Sequence, residues 1–143
     1  MKELRSEIEI DAPPERVWQV LIDFEAYPEW NEFITSIKGE PTVGSRLTVH
    51  IEPPGRRGIT FKPTVQAVEP ARELRSLGRL VTPSLFDGDH RLAIEPLAEG
   101  RSRFVQSEHF TGLLVGLFDR TLEATERGFE RMNAALKRRA EAT

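Results

Sequence analysis

Val17-Trp18-Gln19-Val20-Leu21-Ile22-Asp23-Phe24-Glu25-Ala26-Tyr27-Pro28-Glu29-Trp30-Asn31 is the stretch on which the reading of this chain turns. Val17, Val20, Leu21 and Phe24 recur at helical spacing, with Trp18 beside them, so the segment is an amphipathic helix. Upstream, Asp11-Ala12-Pro13-Pro14-Glu15 is a helix start: prolines suit a first turn whose N–H groups lack partners, and an acid there suits the dipole. The helical stretch ends toward Pro28, after a second short turn around Glu25 to Tyr27. Both tryptophans and the only tyrosine fall in these fifteen residues, beside a helix end. Aromatic side chains bury large areas and dominate cores and pockets, so the segment marks a structural centre.

Working outward, Glu3 to Ile10 alternates charged and apolar residues and reads as a first strand. From Ile34 to Phe110 the chain is a succession of strands separated by turn chemistry. Arg46–Glu52, Ile59–Val68, Arg72–Gly78, Phe86–Glu95 and Arg101–Phe110 are strands, after a first one beginning at Ile34. The breaks fall at Gly39, Gly44, Pro53-Pro54-Gly55, Glu69-Pro70-Ala71, a loop from Arg79 to Ser84, and Leu97-Ala98-Glu99-Gly100. Asp87-Gly88 is expected to bend its strand near the start. Six such strands with no helix between them argue for an antiparallel meander. In the last third Leu114, Phe118, Leu122, Thr125, Phe129, Met132 and Leu136 step by threes and fours, a helical stripe of some six turns. A helix that long must bury its stripe, and the sheet is the only large partner. The expected class is α+β: a curved seven-stranded antiparallel sheet wrapped around a long C-terminal helix, with two short helices after the first strand, as one domain over residues 1–143. One straight helix does not fill such a sheet, and the space left over suits an apolar ligand in a cavity of roughly 300–1,000 Å³.

Composition narrows the function. No apolar run approaches the ~20 residues of a membrane span, and the first residues lack the apolar core of a signal peptide, so a cytoplasmic location is the default and stable membrane insertion is not expected. The absence of cysteine removes disulfides, thiolate chemistry and cysteine-type zinc sites. Net charge is -3, and the basic residues Arg127, Arg131, Lys137, Arg138 and Arg139 interleave with Glu123, Glu126, Glu130 and Glu141, which reads as a solvated helix end rather than a nucleic-acid surface. His50, His90 and His109 have no paired metal-ligand spacing, so no metal is expected. Neither a G-x-S-x-G nucleophile motif nor a Gly-rich phosphate loop is present, and no cofactor is expected. Nothing in the sequence specifies an oligomeric state.

Two strands carry polar groups on apolar faces. Phe86, Gly88, His90, Leu92 and Ile94 share one face, which should turn inward and take His90 with it. On the next strand Phe104, Gln106, Glu108 and Phe110 outweigh Val105, Ser107 and His109 in apolar area, so Gln106 and Glu108 are placed inside. A histidine, an amide and a carboxylate in an apolar cavity are costly unless hydrogen-bonded. They form either a patch that fixes a ligand carbonyl or hydroxyl, a general acid/base pair of His90 and Glu108, or a satisfied structural cluster with Glu108 at the sheet rim.

Four segments, Ile10–Trp18, Asp23–Asn31, Phe86–Leu92 and Phe104–Gly112, together with the long last helix, resemble the START-like, SRPBCC superfamily with its helix-grip fold. That superfamily includes polyketide cyclase/dehydrase and lipid-transport families. The resemblance implies an internal cavity for a small hydrophobic or amphipathic molecule, held by a carrier or sensor, or worked on by a cofactor-independent cyclase, dehydratase or isomerase. A third implied role is that of an interaction or co-chaperone-like protein. The chain departs from the family at Glu32, where proline often stands, and at Ser76, where tryptophan is frequent, which leaves extra room. Trp30, Phe33, Phe61 and Phe86 either line the cavity or belong to the core; Leu92 shares the inward face with His90. Leu114, Phe118, Leu122 and Thr125 are expected to face the cavity, and Phe129, Met132 and Leu136 to seal the core. The mouth is expected between the Arg79–Ser84 loop and the short helix around Tyr27. Gly128 either permits close approach to the sheet or has no special role.

Overall fold

The computed structural model describes residues 2–80, 86–112 and 115–142. Strand β1 (Lys2–Ile10) leads into helix α1 (Pro14–Ile22), whose Pro13-Pro14 start is as the sequence requires. A 3₁₀ turn at Phe24–Ala26 is followed by the short helix α2 (Tyr27–Trp30). Pro28 therefore sits in the first turn of α2, where proline is tolerated, and does not terminate the helical stretch. Asn31 ends α2: its Oδ1 accepts the backbone N–H groups of Phe33 and Ile34 at 2.9 and 2.8 Å and turns the chain into β2 (Ile34–Lys38).

The strands that follow are β3 (Thr48–Ile51), β4 (Ile59–Phe61), β5 (Thr64–Glu69), β6 (Glu73–Leu80), β7 (Phe86–Leu97) and β8 (Arg101–Thr111). All pair antiparallel, in a five-stranded sheet ordered β1-β8-β7-β6-β5 and a three-stranded sheet ordered β2-β3-β4. The expected single strand Ile59–Val68 is two strands, because Pro63 offers no N–H to a ladder. Its carbonyl instead accepts from Leu47 N at 2.8 Å, and the 44–47 segment bonds to Val65, so the backbone still joins the two sheets. Among the described residues this break raises the count from seven strands to eight. Arg79, expected in a loop, belongs to β6, and residues 81–84 of that expected loop lie outside the described residues. At Gly88, where a bend was expected, β7 pairs without a register shift on both sides.

Helix α3 (Asp119–Glu141) runs about 35 Å and follows a 3₁₀ turn at Val115–Phe118. The predicted stripe thus enters the α-helix only after Phe118, which is half-buried, and Leu114 lies outside the described residues. Phe129, Met132 and Leu136 are wholly buried, as the helical spacing requires. Each large apolar side chain buried so completely contributes roughly 1.5–3 kcal/mol. Gly128 packs so tightly on Phe33 that a Cβ there would overlap the ring, so glycine sets the approach of α3 to the turn after α2. The far end of α3 is capped in trans. The Arg16 guanidinium donates to the carbonyls of Arg139, Ala140 and Ala142 at 3.1 to 3.3 Å, satisfying acceptors that a helix end leaves open. Among the described residues no helix is long and apolar enough to cross a membrane.

Candidate functional site

Between the two sheets and α3 lie two adjoining chambers. Tyr27, Phe33, Leu47, Phe61, Leu74, Ser76, His90 and Leu92 are among the residues lining the first. The second is bounded by Ile59, Gly78, Gly88 and Phe110, with Thr121, Leu122 and Thr125 of α3. Ile51, Phe61 and Glu108 belong to both and form the partition. The chambers hold about 40 and 60 Å³, room for a few waters each and well below the volume expected from the sequence. Aromatic residues that were expected to line the space, Phe33 and Phe61, also fill much of it.

Strand alternation explains which polar groups reach this space. In β8, Phe104 and Gln106 are wholly buried and Phe110 nearly so, while Glu108 on the same face borders both chambers. His90 on β7 stands directly opposite Glu108 in the ladder, yet no hydrogen bond joins them among the described residues. The imidazole looks diagonally instead. His90 Nε2 lies 2.8 Å from Gln106 Oε1; Gln106 Nε2 donates to Asn133 Oδ1 at 2.9 Å, and Asn133 Nδ2 donates to Ser6 Oγ at 3.0 Å. Gln106 Oε1 can only accept, so His90 Nε2 carries the hydrogen between them, and in the neutral ring Nδ1 is then the acceptor. The ring stacks on Phe129 at 5.6 Å, and burial holds its pKa below the ordinary histidine value.

Glu108 is the contrasting case. No described residue hydrogen-bonds its carboxyl, and burial, reinforced by the nearby Asp89 charge, pushes its pKa up to about 8. Its position depends on Gly88 across the ladder, where a Cβ would overlap Glu108 Oε2. The polar patch foreseen from sequence is therefore two things: a hydrogen-bonded chain from His90 to Ser6, and a half-buried acid facing the chambers whose carboxyl no described residue hydrogen-bonds.

The structure brings together Phe33, Phe61, Ser76, His90, Leu92, Glu108, Leu122 and Thr125 around the chambers. Gln106 stands behind them, fully buried and supporting His90. Trp30 is not at the chambers: it packs edge-on against Tyr27 at 5.1 Å and borders an outer groove near the end of α3. Tyr27 is fully buried with its hydroxyl donating to Leu21 O at 2.7 Å, so the short helix forms a chamber wall rather than a mouth. Phe118 does not border either chamber. The side chain of Phe86, like Leu114, lies outside what the structure describes. Sequence reasoning missed Asn133, Ser6 and Gly78 as lining or supporting residues, and placed Tyr27 at the mouth rather than in the wall. Asn133 had a visible signal, since it lies four residues after Phe129 on a buried helix face.

A curved antiparallel sheet gripping a long C-terminal helix around an internal cavity defines the helix-grip class. The family model described as polyketide cyclase / dehydrase and lipid transport matches residues 1–141, and the chain belongs to that family. The fold is shared with solved structures of low sequence identity. The Zhui aromatase/cyclase from Streptomyces sp. R1128 is 18% identical with a TM-score of 0.77, over 98% of this chain and 93% of that one. A START superfamily protein from Mycobacterium smegmatis is 19% identical with a TM-score of 0.76, covering 97% of each chain. TTHA0849 from Thermus thermophilus is 18% identical with a TM-score of 0.76, again over 97% of each. No curated protein sequence matches the chain significantly.

Proposed function

We propose that the protein binds a small hydrophobic or amphipathic molecule in the paired chambers, as a carrier or sensor, with Glu108 reading the ligand's polar group. One observation carries this: among the described residues, one carboxyl without a hydrogen-bond partner stands at the partition of two otherwise largely apolar chambers. Burying a carboxyl without a partner costs stability, and a ligand supplying that partner recovers it. A ligand larger than a few waters displaces Phe61, the half-buried partition side chain, and so merges the chambers. Titration with the neutral apolar dye N-phenyl-1-naphthylamine tests the reading. Binding to the wild type and its loss in Leu122→Trp, with circular dichroism unchanged, is the expected result; dye binding indifferent to that substitution would refute an internal site.

A second reading is supported by the same carboxyl. An acid with a pKa near the working pH is suited to general acid catalysis, so a cyclase- or dehydratase-type reaction without a cofactor is the alternative. In it Glu108 moves the proton alone, because His90 Nε2 is engaged by Gln106. Glu108→Gln would then abolish turnover while leaving dye binding intact.

A further inference from the structure

We infer that the chambers select a ligand bearing a positively charged nitrogen, an amphipathic amine, and disfavour anionic amphiphiles such as fatty acids. This rests on the binding reading above and specifies the chemistry of the bound molecule. No lysine or arginine lines either chamber among the described residues. The arginines of the neighbouring strands are engaged on the outer face of the sheet: Arg75 pairs with Asp89, Arg91 with Glu73 and Arg103 with Glu95. An anionic headgroup would therefore lose its hydration in a space whose described lining holds no lysine or arginine as counter-charge, with only the neutral Glu108 carboxyl to offer it a hydrogen. A cationic headgroup meets the reverse, a carboxyl seated over Gly88 with no described hydrogen-bond partner and apolar walls around it.

The groups facing Glu108 do not offer an internal counter-charge. His90 on β7 is kept neutral by burial and is tied to Gln106; Asp89 adds negative potential; the buried Tyr27 phenol is uncharged, its pKa pushed further up by burial. Leu4 of β1 pairs opposite Glu108, with Glu3 and Arg5 on either side of it at the outer face. Ser76 and Gly78 of β6, and Thr121, Leu122 and Thr125 of α3, are uncharged; the Arg56 guanidinium reaches the exposed side of Thr121, donating to its Oγ1 at 3.4 Å, and does not itself line a chamber. Among the described lining residues a bound ammonium thus meets no competing lysine or arginine at the acid. Its arrival ionises Glu108, and the carboxyl proton leaves to the solvent while the ammonium keeps its own. Ionic hydrogen bonds are roughly twice as strong as neutral ones, which favours the amine over an alcohol of the same shape.

The experiment uses the full chain and three matched probes: 1-aminohexane, 1-hexanol and hexanoate. Calorimetry at pH 7 in phosphate and in Tris, with amide NMR shifts to locate the site, reads affinity and proton exchange together. Expected are an affinity for the amine about tenfold above the alcohol, no saturable binding of hexanoate, and release of close to one proton on amine binding. The amine advantage grows as pH rises toward 8 and then levels, and Glu108→Gln abolishes both the advantage and the proton release. Equal affinities for amine and alcohol, amine binding without proton release, or tight binding of hexanoate would overturn the inference while leaving the cavity reading standing. Binding of none of the three probes, with N-phenyl-1-naphthylamine also excluded, would overturn the binding reading and the inference with it.

Discussion

Replacing Glu108 with glutamine should make the protein more stable at neutral and alkaline pH, by an amount that the structure fixes in sign and in scale. In the folded state the carboxyl keeps its proton up to a pKa of about 8; once unfolded it titrates at the ordinary 4.5. Between those values the native state binds a proton that the unfolded state has released. Unfolding stability therefore falls as pH rises, by about 1.4 kcal/mol per pH unit for this one group. Below pH 4.5 both states are protonated and there is no penalty; above pH 8 the penalty is complete and constant. Glutamine has nearly the same shape and no titration, so the variant lacks this slope. The stability difference, variant minus wild type, should widen by about 3 to 4 kcal/mol between pH 5 and pH 8, a large share of the ~5–15 kcal/mol available to a domain. Urea unfolding of both proteins at pH 5, 6, 7, 8 and 9 measures it, and every other titrating group cancels in the difference. A difference that stays flat over this range would mean that the carboxyl reaches solvent or a cation, and would sink the account of the site built on its isolation.

Two further outcomes test the supports around the chambers. Gly128→Ala should destabilise the protein by about 1–3 kcal/mol in urea unfolding, even though alanine is favoured by about 1 kcal/mol in an unhindered helix, because the new Cβ overlaps Phe33; Phe33→Leu should recover part of the loss. Asn133→Ala should cost about 1–3 kcal/mol by stranding the buried Gln106 amide hydrogens, and imidazole ¹⁵N shifts should show His90 losing its single Nε2–H tautomer. An unchanged tautomer would mean that Gln106 holds His90 without help from α3.

How far the sequence reaches depends on which geometry each feature needs. Period-two alternation assigns faces, so Phe104, Gln106, Glu108 and Phe110 could be turned inward from the sequence alone, and helical spacing did the same for Phe129, Met132 and Leu136. Faces do not determine partners. His90 and Glu108 share a face and stand opposite each other, but the hydrogen bond runs to Gln106, opposite Leu92, because a ring projecting from the sheet reaches a diagonal neighbour as easily as a direct one. The aromatic turn was legible as a landmark and not as a location: Tyr27 and Trp30, three residues apart on one side of a four-residue helix, pack edge-on, yet only Tyr27 is fully buried and lines a chamber, while Trp30 is half-buried beside the outer groove. Gly88 was the least readable of all, since a glycine in a strand signals a bend from sequence, whereas here its missing Cβ is the space that the Glu108 carboxyl occupies. The same acid that alternation placed inside thus owes its isolation to a residue whose contribution is an absence of atoms. For that reason the pH dependence of Glu108→Gln bears on Gly88 as well: the carboxyl can remain unpaired and protonated only while nothing at position 88 drives it toward solvent.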